Sequence, residues 1–142
     1  MADRLKIGFA QMNQRVGDLE GNAAAMLEVR RKAAAAGADL LMCPELQLVG
    51  YPPEDLVLKP EFVRRTMECA ERLVDATAEP GPAMLIGTVI DEGGLNYNAM
   101  LLADGGRTLA RTLKRELPNY GTFDKSASLR RARCRSRSNL RA

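Results

Sequence analysis

Short apolar runs alternate with longer stretches of helical spacing along the first 125 residues, and that alternation leaves few folds open. Leu5 to Gln11 reads as a strand. The Val16-Gly17-Asp18 turn leads into a helix from about Asn22 to Ala36, capped by Asn22, with Met26, Val29, Ala33 and Ala36 on one face and Gly37 as a left-handed terminator. Leu40 to Cys43 is an apolar run suited to a buried strand, and Pro44 stops it by removing the next ladder donor. A proline-punctuated loop precedes a second helix from about Pro60 to Ala78, whose inner stripe is Phe62, Thr66, Cys69, Ala70 and Leu73. Ala83 to Ile90 reads as a strong strand. Gly93-Gly94 and Gly105-Gly106 bound two more strands, near Tyr97 to Ala103 and Thr108 to Lys114. The order β-α-β-α-β-β-β predicts an α/β layered sheet with an antiparallel meander appended.

The chemistry open to this chain is narrowed by what it lacks. There is no histidine in 142 residues, so Ser-His-Asp and Cys-His nucleophile systems and the H-E-x-x-H zinc site are excluded. Acid-base work near neutral pH falls to Glu, Asp, Lys, Tyr or Cys with a shifted pKa. The cysteines, Cys43, Cys69 and Cys134, are odd in number and have no C-x-x-C spacing, which argues against a disulfide framework or a zinc cluster and suits a reducing cytoplasm. Cys43 and Cys69 fall on apolar stripes and read as core. The N-terminus has no apolar signal core, and no apolar run approaches the length of a membrane span, so no membrane association is expected.

The net charge of +3 is unevenly distributed. Residues 1–125 hold 15 Lys and Arg against all 18 Asp and Glu, a net −3, while residues 126–142 hold six Arg and no acid. That tail has four serines, no aromatic and no helical or strand period, and is expected to be disordered. An Arg/Ser-rich tail can bind nucleic acid through phosphates; without interleaved aromatics or a folded basic face, this is the weaker reading.

Two residues stand where strands end. Glu45 follows the Pro44 stop, and a carboxylate half desolvated at such an edge can serve as a general base; an exposed loop glutamate is the ordinary alternative. Lys114 ends the last strand, shortly before Pro118. In an α/β sheet the side chains at strand ends converge over one crevice, so the two can meet there. An ammonium beside a developing oxyanion stabilises it, and a nearby carboxylate keeps the lysine charged; the ordinary alternative is a surface lysine.

Four segments carry a resemblance: A-Q-M-N-Q-R-V-G-D-L-E-G-N from Ala10, G-A-D-L-L-M-C-P-E-L-Q-L-V-G-Y-P-P-E-D-L from Gly37, L-N-Y-N-A from Leu95 and L-K-R-E-L-P-N-Y-G-T-F-D from Leu113. In this order they resemble the nitrilase, or carbon-nitrogen hydrolase, superfamily, and within it the N-terminal glutaminase domains of glutamine-dependent NAD synthetases. The resemblance spans residues 5–125. It implies the N-terminal half of an α-β-β-α sandwich over residues 1–125, with 126–142 as a separate basic tail. It also implies a Glu-Lys-Cys triad in which Glu45 matches the general base and Lys114 the lysine. Tyr120 looks like a glutamine-contacting residue, and Tyr51 is expected to line the same region.

The third triad member has no match. The family places its nucleophile downstream of the lysine in a motif resembling G-x-x-I-C-E-D, which does not occur here; Cys134, between Arg133 and Arg135, has nothing to position it. The family pattern stops after Phe123-Asp124-Lys125, for which a shifted reading frame is one explanation and an evolved Arg-rich terminus the other. The resemblance implies glutamine as the family substrate, no cofactor in this domain, and ATP and magnesium only in a synthetase domain beyond this span. With two of three triad members the chain is expected to be inactive alone. Half a sandwich leaves an apolar sheet face uncovered, so self-association is expected. Two other readings stay open: an interaction protein acting through its basic tail, and a superfamily amidase with another amide substrate.

Overall fold

In the computed structural model, which describes residues 4–115, three parallel strands lead into an antiparallel meander. The strands are β1 (Ile7–Phe9), β2 (Leu40–Met42), β3 (Ala83–Glu92), β4 (Leu95–Asp104) and β5 (Arg107–Leu113), and they lie in sequence order in one sheet. Helix α1 (Leu19–Ala35) connects β1 to β2; α2 (Pro60–Asp75), flanked by 3-10 turns at Glu54–Leu58 and Ala76–Ala78, connects β2 to β3. The β-α-β-α-β-β-β order read from the sequence is the observed one.

The boundaries differ in instructive ways. Asp18, four residues before Asn22, caps α1 by accepting the Gly21 N–H at 2.9 Å. Asn22 is instead buried inside the first turn and holds two loops together: its Oδ1 accepts the Arg15 N–H at 2.9 Å, and its Nδ2 donates to the Arg15 and Leu48 carbonyls. Helix α1 buries Leu19, Asn22, Ala23, Met26 and Arg30, while Ala36 is exposed. Arg30 is fixed by carbonyls: Nε donates to Pro82 at 3.0 Å and Nη2 to Glu79 at 2.8 Å, which ties the exit of α2 to the start of β3. Helix α2 follows its amphipathic pattern closely, burying Val63, Thr66, Cys69, Ala70, Leu73 and Val74.

The helices share one face of the sheet. The cross-strand row Gly8, Leu41, Met84, Ala103 points at them: Leu41 and Met84 are buried, and a Cβ on Gly8 would lie 3.7 Å from Ala33 of α1. The adjacent row, Phe9, Met42, Leu85, Leu102 and Ala110, runs across all five strands on the opposite face and is apolar throughout. No helix among the described residues covers that second row, and Phe9 is 71% exposed. No helix of the described residues is long and apolar enough to cross a membrane.

Candidate active site

The turn that carries Glu45 begins where β2 loses its pairing. Cys43 still donates its N–H to Leu85 at 3.0 Å; Pro44 has none to give. The chain then folds back on itself, with Gln47 N–H bonding Pro44 O at 3.2 Å and Gly50 N–H bonding Leu46 O at 2.9 Å. The turn lies against the helix-free face of β3, where Leu48 N–H donates to Gly87 O at 3.1 Å. That approach requires glycine at position 87, because a Cβ there would sit 2.3 Å from Pro44 O and 2.7 Å from Leu46 N. Gly50, with φ of +84°, seats the far end of the turn, where a Cβ would meet the Val16 backbone at 2.5 Å.

Lys114 arrives on the same face from the β5 edge of the sheet. Its N–H donates to Asn98 O at 2.8 Å, one residue past β5, which places Asn98 and Lys114 side by side on the helix-free face. Lys114 Nζ donates to Glu45 Oε1 at 2.7 Å, and Asn98 Nδ2 donates to the same oxygen at 2.6 Å. Asn98 is 4% exposed, whereas the Lys114 and Glu45 side chains keep 33% and 39% of their surface. A half-exposed ion pair is worth about 1 kcal/mol or less, so stability alone is a poor reason for three polar side chains to converge on a sheet face. They line a cavity of about 280 Å³ together with Met100 and Thr112. A larger depression of about 470 Å³, beside the start of α2, offers no comparable group: Arg64 is tied to Glu61 and Glu68, and Asp91 accepts the Gly94 N–H at 3.2 Å.

Glu45 and Lys114 therefore meet as their strand-end positions predict, 69 positions apart in the chain. Tyr51 packs against the core cluster at the end of the Glu45 turn and is not among the residues lining the Glu45 cavity. Tyr120, Cys134 and the tail from residue 126 lie outside the described residues. The described cysteines, Cys43 and Cys69, are both buried. Cys43 shares the helix-facing side of β2 with Leu41, and burial pushes its thiol up to about 12, so it remains protonated at neutral pH. Among the described residues no three His, Cys, Asp or Glu side chains gather as metal ligands do. Sequence reasoning missed Asn98 and Gly87. The signal for Asn98 was a polar side chain with the same strand parity as Met100 and Leu102; Gly87, inside an apolar run, marked a close backbone approach.

Comparison with known proteins agrees with this geometry. The family model for carbon-nitrogen hydrolase matches residues 6–137, a span that runs past residue 125. The glutamine-dependent NAD(+) synthetase of Rhodobacter capsulatus is 44% identical over 125 residues, covering 87% of this chain and 22% of the relative. That of Thermotoga maritima is 41% identical over 121 residues, with 85% and 21% covered. The chain thus spans less than a quarter of the length of these relatives. Among solved structures, the glutamine-dependent NAD+ synthetase of Acinetobacter baumannii superposes with a TM-score of 0.84 at 30% identity, over 92% of this chain and 24% of that one. A mutant amidase of the nitrilase superfamily from Nesterenkonia AN1 gives 0.81 at 25% identity, over 92% of this chain and 49% of the amidase. On these matches, and with the Glu45–Lys114 pair in place, the chain belongs to the carbon-nitrogen hydrolase family.

Proposed function

We propose that residues 4–115 are the N-terminal part of the glutamine amidohydrolase domain that supplies ammonia in a glutamine-dependent NAD synthetase. The observation that carries this reading is the contact of Lys114 Nζ with Glu45 Oε1 at 2.7 Å in a cavity on the helix-free sheet face. Glu45 is the general base. It takes the proton of a cysteine thiol that lies outside the described residues; the thiolate attacks the side-chain amide carbon of glutamine, and Lys114 holds the tetrahedral oxyanion. The proton returns to the amide nitrogen, ammonia leaves, and water hydrolyses the thioester to glutamate. No cofactor takes part in this half of the chemistry. ATP and magnesium would serve a synthetase domain, which belongs to the part of the relatives that this chain does not span.

The buried Cys43 and Cys69 cannot supply that thiol, and the segment around Cys134 does not match the family's nucleophile motif, so the purified chain is expected to release no ammonia from glutamine. Loss of a covalent nucleophile costs on the order of 10⁶ in rate. The test joins residues 1–115 in frame to the remainder of the R. capsulatus relative and follows ammonia release. An active chimera inactivated by Glu45→Gln and by Lys114→Met supports the reading. A folded chimera without glutaminase activity overturns it. Steady ammonia release by the isolated chain, abolished by Glu45→Ala, overturns its dependence on a nucleophile from outside.

A further inference from the structure

We infer that Asn98 is a positioning residue for Glu45, aiming the carboxylate and locking it to the strand that delivers Lys114. Three observations meet at this residue. Its side-chain Nδ2 donates to Glu45 Oε1 at 2.6 Å, on the oxygen that Lys114 Nζ also reaches. Its backbone carbonyl accepts the Lys114 N–H at 2.8 Å. It is 4% exposed, and the next two β4 residues on its face, Met100 and Leu102, are apolar. A buried amide left without a partner costs about 1–3 kcal/mol, so its presence there is accounted for by the carboxylate it serves. The amide orientation follows from chemistry, since a carboxylate only accepts and its neighbour must be the NH₂ group.

One residue thereby fixes both members of the pair, Glu45 through its side chain and the Lys114 backbone through its carbonyl. The amide does what the ammonium alone does not. Lys114 ends a flexible four-carbon stem and is a point charge with rotatable donors, which attracts the carboxylate but constrains its plane weakly. Asn98 has two side-chain torsions and stands on the longest antiparallel pairing of the sheet, opposite Val89, which is fully buried under the Glu45 turn. Two donors of fixed origin on one oxygen define the rotation of the carboxyl group, and placement within about 0.5 Å is what a proton-transferring base needs.

The catalytic meaning of this inference rests on Glu45 being the base; the hydrogen bond itself is measured without activity. In the full chain with ¹³C-labelled glutamate, the Glu45 carboxyl is assigned through Glu45→Gln and titrated. Lys114 is the other titratable residue lining the cavity, so Lys114→Met provides the reference for the ionic contribution. Asn98→Leu keeps the branched shape, with somewhat larger volume, and removes the donor. It is expected to raise the Glu45 midpoint by about one pH unit, because a hydrogen bond to the ionised form is lost. Asn98→Asp, which sets a second carboxylate against the first, is expected to raise it further. A folded Asn98→Leu chain with an unmoved midpoint overturns the inference. Should the variant fail to fold, the unsubstituted chain still decides: the Asn98 NH₂ resonances must titrate with the Glu45 midpoint, and their indifference to pH overturns it. The chimera's glutaminase activity reads the base assignment separately, so the two can fail independently.

Discussion

A thiol two residues before Glu45 invites assignment as the nucleophile, and at Cys43 the environment decides against it. Its side chain faces the helices, and its burial raises the pKa from 9.0 to about 12. A raised folded pKa stabilises the protonated form. Its contribution is whole below about pH 9, where folded and unfolded chains both hold the proton, and is lost as pH rises toward 12. Urea midpoints should therefore fall between about pH 9 and pH 11, by at most about 1.4 kcal/mol per pH unit from this group, and Cys43→Ala should flatten that slope. Iodoacetamide at neutral pH should spare Cys43 in the folded chain and alkylate it in urea. Gln47 poses the opposite case. It is fully buried, and neither its Nε2 nor its Oε1 has a hydrogen-bond partner among the described residues. Gln47→Leu removes an unpaired amide at similar volume, and should raise stability by about 1–2 kcal/mol in urea unfolding. A loss instead would mean that the amide has a partner in solution, such as a trapped water.

The Glu45 turn packs against β3 backbone to backbone, and Gly87 is where that shows. Pro44 O stands 2.3 Å from any Cβ at this position, and the obstacle is main chain that cannot rotate away. Gly87→Ala should cost about 1–3 kcal/mol, as overpacking does, and should move the turn off β3. The check is double: a lower urea midpoint, and loss of the Asn98–Glu45 co-titration even where the chain stays folded. Pattern alone made much of this architecture legible. Helix α2 was readable because its apolar residues recur at helical spacing and Pro60 marks its start, and β3 because its apolar run is long and bounded by glycines. Glu45 and Lys114 could be paired because both stand just past the ends of strands in one sheet. Helix α1 was less legible. Its alanine-rich sequence gives little contrast between faces, so Asn22 passed for a cap and nothing in the pattern marked Arg30, although both are buried by partners distant in sequence. Asn98 and Gly87 were hidden for the same reason: their meaning lies in cross-strand register and in a loop that returns over the sheet, neither of which is local.

At the scale of the whole molecule, one face of the sheet carries the helices, and the other carries the candidate site with no helix of the described residues over it. The row Phe9, Met42, Leu85, Leu102, Ala110 crosses all five strands on that face, and Phe9 and Ile7 at its edge are 71% and 38% exposed. The Glu45 cavity opens beside it through Met100, which shares the parity of Leu102 on β4. A layer laid over this row would reach the Met100 side of the cavity, which is what links self-association to the site. Contiguous apolar surface of this kind is a protein-protein interface or an aggregation liability, and a chain with nothing else to cover it should pair with its own copies. Sedimentation velocity across a concentration series should show mass rising with concentration. Phe9→Asp, at an exposed position where the fold loses no core packing, should shift the chain toward monomer without lowering its urea midpoint by more than about 0.5 kcal/mol. A chain monomeric at all concentrations would mean that another segment of the polypeptide already occupies the face. Association unchanged by Phe9→Asp would place the interface elsewhere, and would remove the reason to link self-association to the site.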